Sequence, residues 1–187
     1  YSVKPIADAL GAEGYDVSAP LLIGHGTAPE ALRHTRWNDW LMSARHAFDE
    51  LAAKHEKVTI VDFSLGALLT LVLAQERGDK VAGIVTMAVP LSLDLKTQFL
   101  LRVARRIPIS SIIPYSQKKN GPDVSDPGTA AAMPSYDCTP VDAAVSLLDG
   151  QVQARDRATR LSIPVLILHG RQDHVAPARN AHELFSL

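Results

Sequence analysis

The residues best suited to covalent chemistry in this 187-residue chain lie in the run Val61-Asp62-Phe63-Ser64-Leu65-Gly66. A serine hydroxyl is a weak nucleophile until it is held at an exposed point beside a base. Ser64 follows a β-branched run, 57–63, and precedes residues of helical composition, 65–75. A serine at such a junction sits on a sharp turn, with its hydroxyl lifted above the sheet edge. The next N–H, that of Leu65, opens a helix and faces the same space, where it can stabilise an oxyanion. Gly66 supplies one of the small residues the turn requires. The usual pattern is G-x-S-x-G, and Asp62 stands in place of its first glycine. Taken alone, the run therefore also fits a polar strand–helix junction with no chemistry. Asp62 has two readings: its carboxylate braces the turn through backbone N–H groups, or it sits near the serine and shifts local pKa values.

The second group is His169-Gly170-Arg171-Gln172-Asp173-His174. An apolar strand, 163–169, ends there and a glycine turns the chain. A carboxylate follows at the sheet edge that carries Ser64. In a nucleophile–base–acid triad the acid fixes the imidazole tautomer and stabilises the imidazolium. Asp173 by itself also fits a turn or helix-capping aspartate; the order Ser…Asp, both at strand ends, favours the triad acid. No histidine in the chain is well placed as base. His174 adjoins the acid, His182 lies on the last helix, and His25 sits between two glycines in a turn. His169 ends a strand close to the site and comes nearest to a resident base, but a buried structural role fits it better. His34, His46 and His55 read as solvated helix positions.

These residues need elements to position them. Ser2 caps a first helix whose apolar face is Val3, Ile6, Ala7 and Leu10, ended by Gly11 and Gly14. Residues 15–23 read as a short β-type run closed by Gly24-His25-Gly26. Trp37, Trp40, Leu41, Ala44, Phe48 and Leu51 recur at three- and four-residue steps, giving an amphipathic helix with Thr35 as its expected N-cap. Residues 57–63, 81–89 and 163–169 read as buried strands, and Pro177 opens a last helix. Strands alternating with helices make this an α/β chain: a mostly parallel sheet with helices on both faces. Residues 91–160 differ. They carry no strand signal, are punctuated by Pro108, Pro114, Pro122, Pro127, Pro134 and Pro140, and hold two short helical runs, 99–107 and 141–148. They read as a helical lid insertion over the sheet's carboxyl edge. The expected division is core 1–90, lid 91–160 and core 161–187.

Composition bounds the function. The chain is 47% hydrophobic and 21% charged, as ordinary globular domains are. A net charge of −1 gives no electrostatic case for nucleic acid or an anionic membrane surface. The single cysteine, Cys138, excludes an internal disulfide and a Cys-based zinc site, and a cytoplasmic location is the default expectation. The most apolar stretch, 58–74, is broken by Asp62, Ser64 and Gly66, whereas a membrane span needs roughly 20 apolar residues. Stable membrane insertion is therefore not expected. The opening Tyr1-Ser2-Val3-Lys4-Pro5 reads as the start of a helix inside a domain rather than a signal peptide.

Several ordered motifs together carry a resemblance. They are Gly24-His25-Gly26-Thr27, then Trp37 to Trp40, V-D-F-S-L-G-A, Gly83-Ile84-Val85-Thr86-Met87, Tyr136-Asp137…Pro140, and P-V-L-I-L-H-G-R-Q-D. With these the chain resembles the bacterial carboxylesterase and monoacylglycerol lipase branch of the α/β-hydrolases over nearly its whole length. The resemblance implies an α/β-hydrolase fold, Ser64 as nucleophile, Asp173 as acid, Leu65 N–H as one oxyanion donor, a lid shaping an acyl pocket, and no metal or organic cofactor. Two family parts have no counterpart among the 187 residues. The H-G-F-type loop supplying the other oxyanion donor precedes the family's equivalent of the first helix, and the catalytic histidine follows the last strand. The expectation is a chain truncated at both ends and inactive by itself.

The expected function is hydrolysis of carboxylic esters of short or medium acyl chains, monoacylglycerol-like substrates included, through an acyl-enzyme on Ser64. The alternative is a non-catalytic hydrolase fold that binds a small hydrophobic ligand or a protein partner. A nucleotide-binding reading fails, because no glycine-rich phosphate loop follows a strand. Oligomeric state is not readable from the sequence.

Overall fold

Two β-branched runs that are neighbours in sequence, with one helix between them, become neighbours in the sheet. The computed structural model describes residues 3–107, 109–117, 123–124, 126, 128–129 and 136–187. β1 (Val58–Phe63) and β2 (Val81–Met87) pair in parallel, and β2 pairs in parallel with β5 (Val165–Leu168), giving the order β1-β2-β5. Parallel neighbours need a crossover. Between β1 and β2 that crossover is α4 (Leu65–Glu76). Nine consecutive residues of α4, Gly66 to Ala74, are buried. A helix buried all round needs cover on every side. The sheet covers one side of α4; α3 (Trp37–Ala52) and α6 (Val141–Ala158) cover the others.

The seam between α3 and α6 shows why α3 lies where it does. The Trp37 backbone N–H donates to Ser146 Oγ at 2.7 Å and its indole N–H to Gln153 Oε1 at 3.1 Å. The indole lies directly on Gly150 of α6, where any Cβ would overlap the ring. On the other side Arg45 makes a two-pronged ion pair with Glu76 of α4, at 2.8 and 2.6 Å.

The remaining elements are α1 (Lys4–Ala12), α2 (Pro29–Arg33), α5 (Leu95–Ala104), α7 (Arg179–Ser186), and a two-stranded antiparallel pair, β3 (Tyr115–Gln117) with β4 (Cys138–Pro140). The α/β class and parallel sheet are as the sequence indicates. Five local expectations are corrected. Residues 15–22 form no strand: a strand exists only in a ladder, and no described residue pairs with them. Thr35 does not cap α3. The N-cap is Arg36, whose N–H donates to the Asp39 carboxylate at 2.8 Å, while the Thr35 hydroxyl donates to Leu32 O and accepts the Trp40 indole N–H. Within 91–160 the β3–β4 pair was unforeseen, since three-residue strands carry no readable period. The helix expected over 141–148 continues to Ala158, its second half packed on the core rather than over it. The strand expected as buried over 163–169 lies at the sheet edge, with Val165, Leu166 and Leu168 exposed. The Ser2 cap, and the prolines at 108, 122, 127 and 134, lie outside the described residues.

Candidate active site

Where β1 runs into α4 the backbone makes a turn that L-residues rarely adopt. Ser64 has φ 54° and ψ −118°. A side chain at positive φ stores of order 1–3 kcal/mol of strain, and such strain persists only where the surroundings over-determine it. Here they do. Ser64 N–H donates to Met87 O of β2 at 2.8 Å, and Ser64 O accepts Ala67 N–H at 2.9 Å, so the residue is pinned on both sides. Met87 is followed by a second non-glycine at positive φ, Ala88 (φ 50°), whose N–H donates to Leu168 O of β5. Two adjacent parallel strands thus end in left-handed residues at one edge of the sheet. No sequence signal marked Ala88.

Leu65 opens α4, and its N–H is among the four that helix geometry leaves without an intrahelical acceptor. Beneath the turn lies Asp62. Its Oδ1 accepts Phe63 N–H at 2.8 Å, and its carboxylate rests on Gly66, where a Cβ would overlap it. Burial pushes the Asp62 carboxyl up to about 6, against the opposing pull of the Phe63 N–H. The contact with Phe63 N–H is the bracing that the sequence posed as one reading, and the raised pKa is that of the Asp62 carboxyl itself.

Asp173 stands in the loop after β5. Its Oδ1 accepts two backbone N–H groups, from Val175 at 2.9 Å and Ala176 at 2.7 Å, and Oδ2 lies 3.6 Å from His169 Nε2. The two N–H donors hold the carboxylate in one orientation and leave Oδ2 less encumbered. Ser64, Leu65 and Asp173 all line one cavity of about 1500 Å³, which continues along β1 towards α1. The α1 face of Val3, Ile6, Ala7 and Leu10 forms part of its far wall.

The histidines have other engagements. The His169 ring is buried, and its Nε2 donates to Ala176 O at 2.7 Å, tying the strand end to the Asp173 loop. His174 meets Asp123, and His55 meets Asp16 at 2.8 Å. His25 lines the cavity, but it stacks edge-on against Trp40 and its Nδ1 faces Ile23 O at 3.4 Å; burial depresses its pKa. His34, His46 and His182 are exposed, as the sequence suggested. Among the described residues no group of three or more His, Cys, Asp or Glu side chains is arranged to hold a metal ion, and no helix is long and apolar enough to cross a membrane.

Two contacts tie 91–160 to the rim of the site. The Thr27 N–H donates to the Tyr136 hydroxyl at 3.0 Å. Asp123 accepts the His174 N–H at 2.8 Å and sits 3.1 Å from its Nδ1; the His174 N–H is the main reason the Asp123 carboxyl lies below its usual range. Asp123 was not foreseen, since nothing in its proline-punctuated surroundings marks one aspartate over another.

Comparison with known proteins identifies the family and the fold. The model for the family described as serine aminopeptidase, S33, matches residues 2–186. The thermostable monoacylglycerol lipase of Bacillus sp. (strain H-257) is 28% identical over 185 residues, 99% of this chain and 70% of that protein. The carboxylesterase of Bacillus subtilis (strain 168) is 23% identical over 186 residues, covering 98% of this chain and 71% of that protein. A solved structure from work on LipS and LipT, two metagenome-derived lipolytic enzymes, superimposes with a TM-score of 0.88 at 25% identity, covering 99% of this chain and 72% of that one. The fold is that of the α/β-hydrolases.

Proposed function

Since this chain belongs to the serine aminopeptidase S33 family, we propose that it is a serine carboxylic ester hydrolase acting on monoacylglycerol-like or other small acyl esters. The observation that carries this reading is the strained conformation of Ser64, at φ 54°, on the rim of a large cavity shared with Asp173. Strain at a serine between strand and helix has a ready purpose: it lifts the hydroxyl into the cavity and keeps the following N–H beside it.

In this reading Ser64 Oγ attacks the ester carbonyl as a histidine takes its proton. The oxyanion is stabilised by Leu65 N–H at the start of α4. The imidazolium returns its proton to the leaving alcohol, and water hydrolyses the acyl-enzyme by the same steps in reverse order. Asp173 orients the imidazole through Oδ2, its Oδ1 being held by Val175 and Ala176. The base is read as a histidine other than the seven in this sequence, because the two rings that line the cavity are engaged elsewhere, His55 with Asp16 and His25 edge-on against Trp40. Within the insertion, Asp123, Val124, Tyr136 and Thr139 line the cavity and would shape the acyl pocket. The family relatives named lipase and carboxylesterase support the ester class. The decisive assay is hydrolysis of p-nitrophenyl esters and of monoacylglycerol by the protein expressed from its complete coding sequence. Ser64→Ala should abolish both; activity at the parent rate would refute the assignment.

One observation favours a second reading, a non-catalytic member that binds a hydrophobic ligand. Asp62 replaces a small residue beneath the turn, and its carboxylate occupies the space against Gly66. In that case neither ester would be turned over, while a fatty alcohol or monoacylglycerol would still bind in the cavity.

A further inference from the structure

The loop that carries Asp173 is fastened largely to itself. The Asp173 N–H donates to Gly170 O at 3.3 Å, and the N–H groups of Val175 and Ala176 donate to Asp173 Oδ1. Ala176 O accepts His169 Nε2 at 2.7 Å, which closes the loop onto the end of β5. Pro177 follows and has no N–H. One main-chain donor in this run looks outward. The His174 N–H donates at 2.8 Å to Oδ2 of Asp123, 51 residues earlier in the 91–160 segment.

Both oxygens of Asp123 meet that one residue, since Oδ1 lies 3.1 Å from His174 Nδ1. The His174 ring is exposed, and an exposed ion pair constrains little. A backbone N–H bonded to a carboxylate is stronger and better directed, and it grips the chain itself. The Asp173 carboxylate moves with that chain, because Oδ1 is bonded to the next two N–H groups. Fixing the nitrogen of His174 therefore fixes where Asp173 Oδ2 points. Asp123 and Val124 line the same cavity as Asp173, Val175 and Ala176. The 91–160 segment is tied at this cavity a second time, by the Tyr136 hydroxyl accepting Thr27 N–H.

We propose that Asp123 is a positioning residue for the triad acid, acting through the His174 N–H to hold the loop that aims Asp173 Oδ2 at the base. The proposal rests on the ester-hydrolase reading, which gives Asp173 its role. Alignment of the acid then depends on the 91–160 segment being seated at the cavity. A displacement of about 1 Å in a group that positions the reaction can cost about 100-fold in rate, even when its cause lies away from the chemistry. Loss of the outside acceptor leaves the loop with only its internal bonds, and Oδ2 loses its fixed direction.

The test measures kcat and KM for a soluble p-nitrophenyl ester, using protein from its complete coding sequence, each variant at its own pH optimum. Ser64→Ala serves as the blank. Asp123→Ala should lower kcat by about 10–100-fold and leave KM little changed, since ground-state binding is not what it removes. Asp123→Asn keeps an oxygen for the His174 N–H without the charge, and should recover most of that loss. His174→Ala keeps the N–H and removes the ring, and should lose far less than Asp123→Ala. Circular dichroism checks that each variant folds; if Asp123→Ala does not, Asp123→Ser, whose hydroxyl stops short of the N–H, takes its place. Parent-like kcat in Asp123→Ala would overturn the proposal and leave the ester reading intact. An equal loss in Asp123→Asn would overturn it by assigning the effect to charge. A rise in KM alone would overturn it by making Asp123 a substrate contact. A parent with no esterase activity, or with activity undiminished by Ser64→Ala, would overturn the ester reading and the proposal with it.

Discussion

The Asp62 carboxylate lies against the Cα of Gly66, so that the residue replacing the first glycine of the usual pattern fills the space a side chain at position 66 would need. The two positions are therefore coupled. Gly66→Ala should cost about 1–3 kcal/mol of stability through overpacking. Asp62→Gly should relieve most of that cost when combined with it, giving a coupling energy of about 1–3 kcal/mol in a urea-denaturation cycle. Additive effects would mean the two side chains do not contact.

Asp62 also predicts a pH dependence of stability. Its carboxyl is raised from an ordinary 3.8 to about 6 by burial, so the fold favours the protonated form. That contribution is fully present below the unfolded value and is lost as pH rises through about 6, at a cost of about 3 kcal/mol for the shift. Asp62→Asn keeps an acceptor for Phe63 N–H without the charge. It should stabilise the protein at about pH 8 and make little difference at about pH 4. Urea titrations at the two pH values measure this; an equal effect at both would refute it.

The backbone at Ser64 makes a prediction about stability alone. Glycine tolerates φ 54° without penalty, whereas alanine does not. Ser64→Gly should be more stable than Ser64→Ala by about 1 kcal/mol. Thermal unfolding of the two variants, both without the hydroxyl, separates backbone strain from side-chain loss.

Asp173 holds its loop through Oδ1 and, in the proposed mechanism, a base through Oδ2. Asp173→Asn retains an acceptor for the N–H groups of Val175 and Ala176. It should melt close to the parent while kcat falls by about 10³–10⁴-fold. Asp173→Ala should lose activity and also about 1–2 kcal/mol of stability, since two N–H groups lose their acceptor. If Asp173→Asn kept parent activity, the residue would be a turn former only.

Legibility in the sequence followed the range over which each feature is decided. The spacing of Trp37, Trp40, Leu41 and Phe48 defines one face of one helix, and α3 is where that spacing puts it. The runs before and after Ser64 are each long enough to declare strand and helix, and the turn between them follows. Residues 15–22 could not be settled so, because strand formation depends on a neighbour that the segment's own composition does not specify. Thr35 looks like a cap by type, but the N–H of Arg36 is met by Asp39, three residues on, and the threonine hydroxyl is engaged by Leu32 and Trp40. The left-handed Ala88 and the Asp123–His174 contact depend on tertiary placement, which no local pattern records.

The central claim is that Ser64 is a nucleophile, and covalent labelling reads it most directly. The protein from its complete coding sequence is treated with a fluorophosphonate and the modified peptide identified by mass spectrometry. The account predicts one adduct, on Ser64, absent from Ser64→Ala and formed much more slowly in Asp173→Asn. An unlabelled Ser64 in a protein that still hydrolyses esters, or an adduct on another residue, would contradict it.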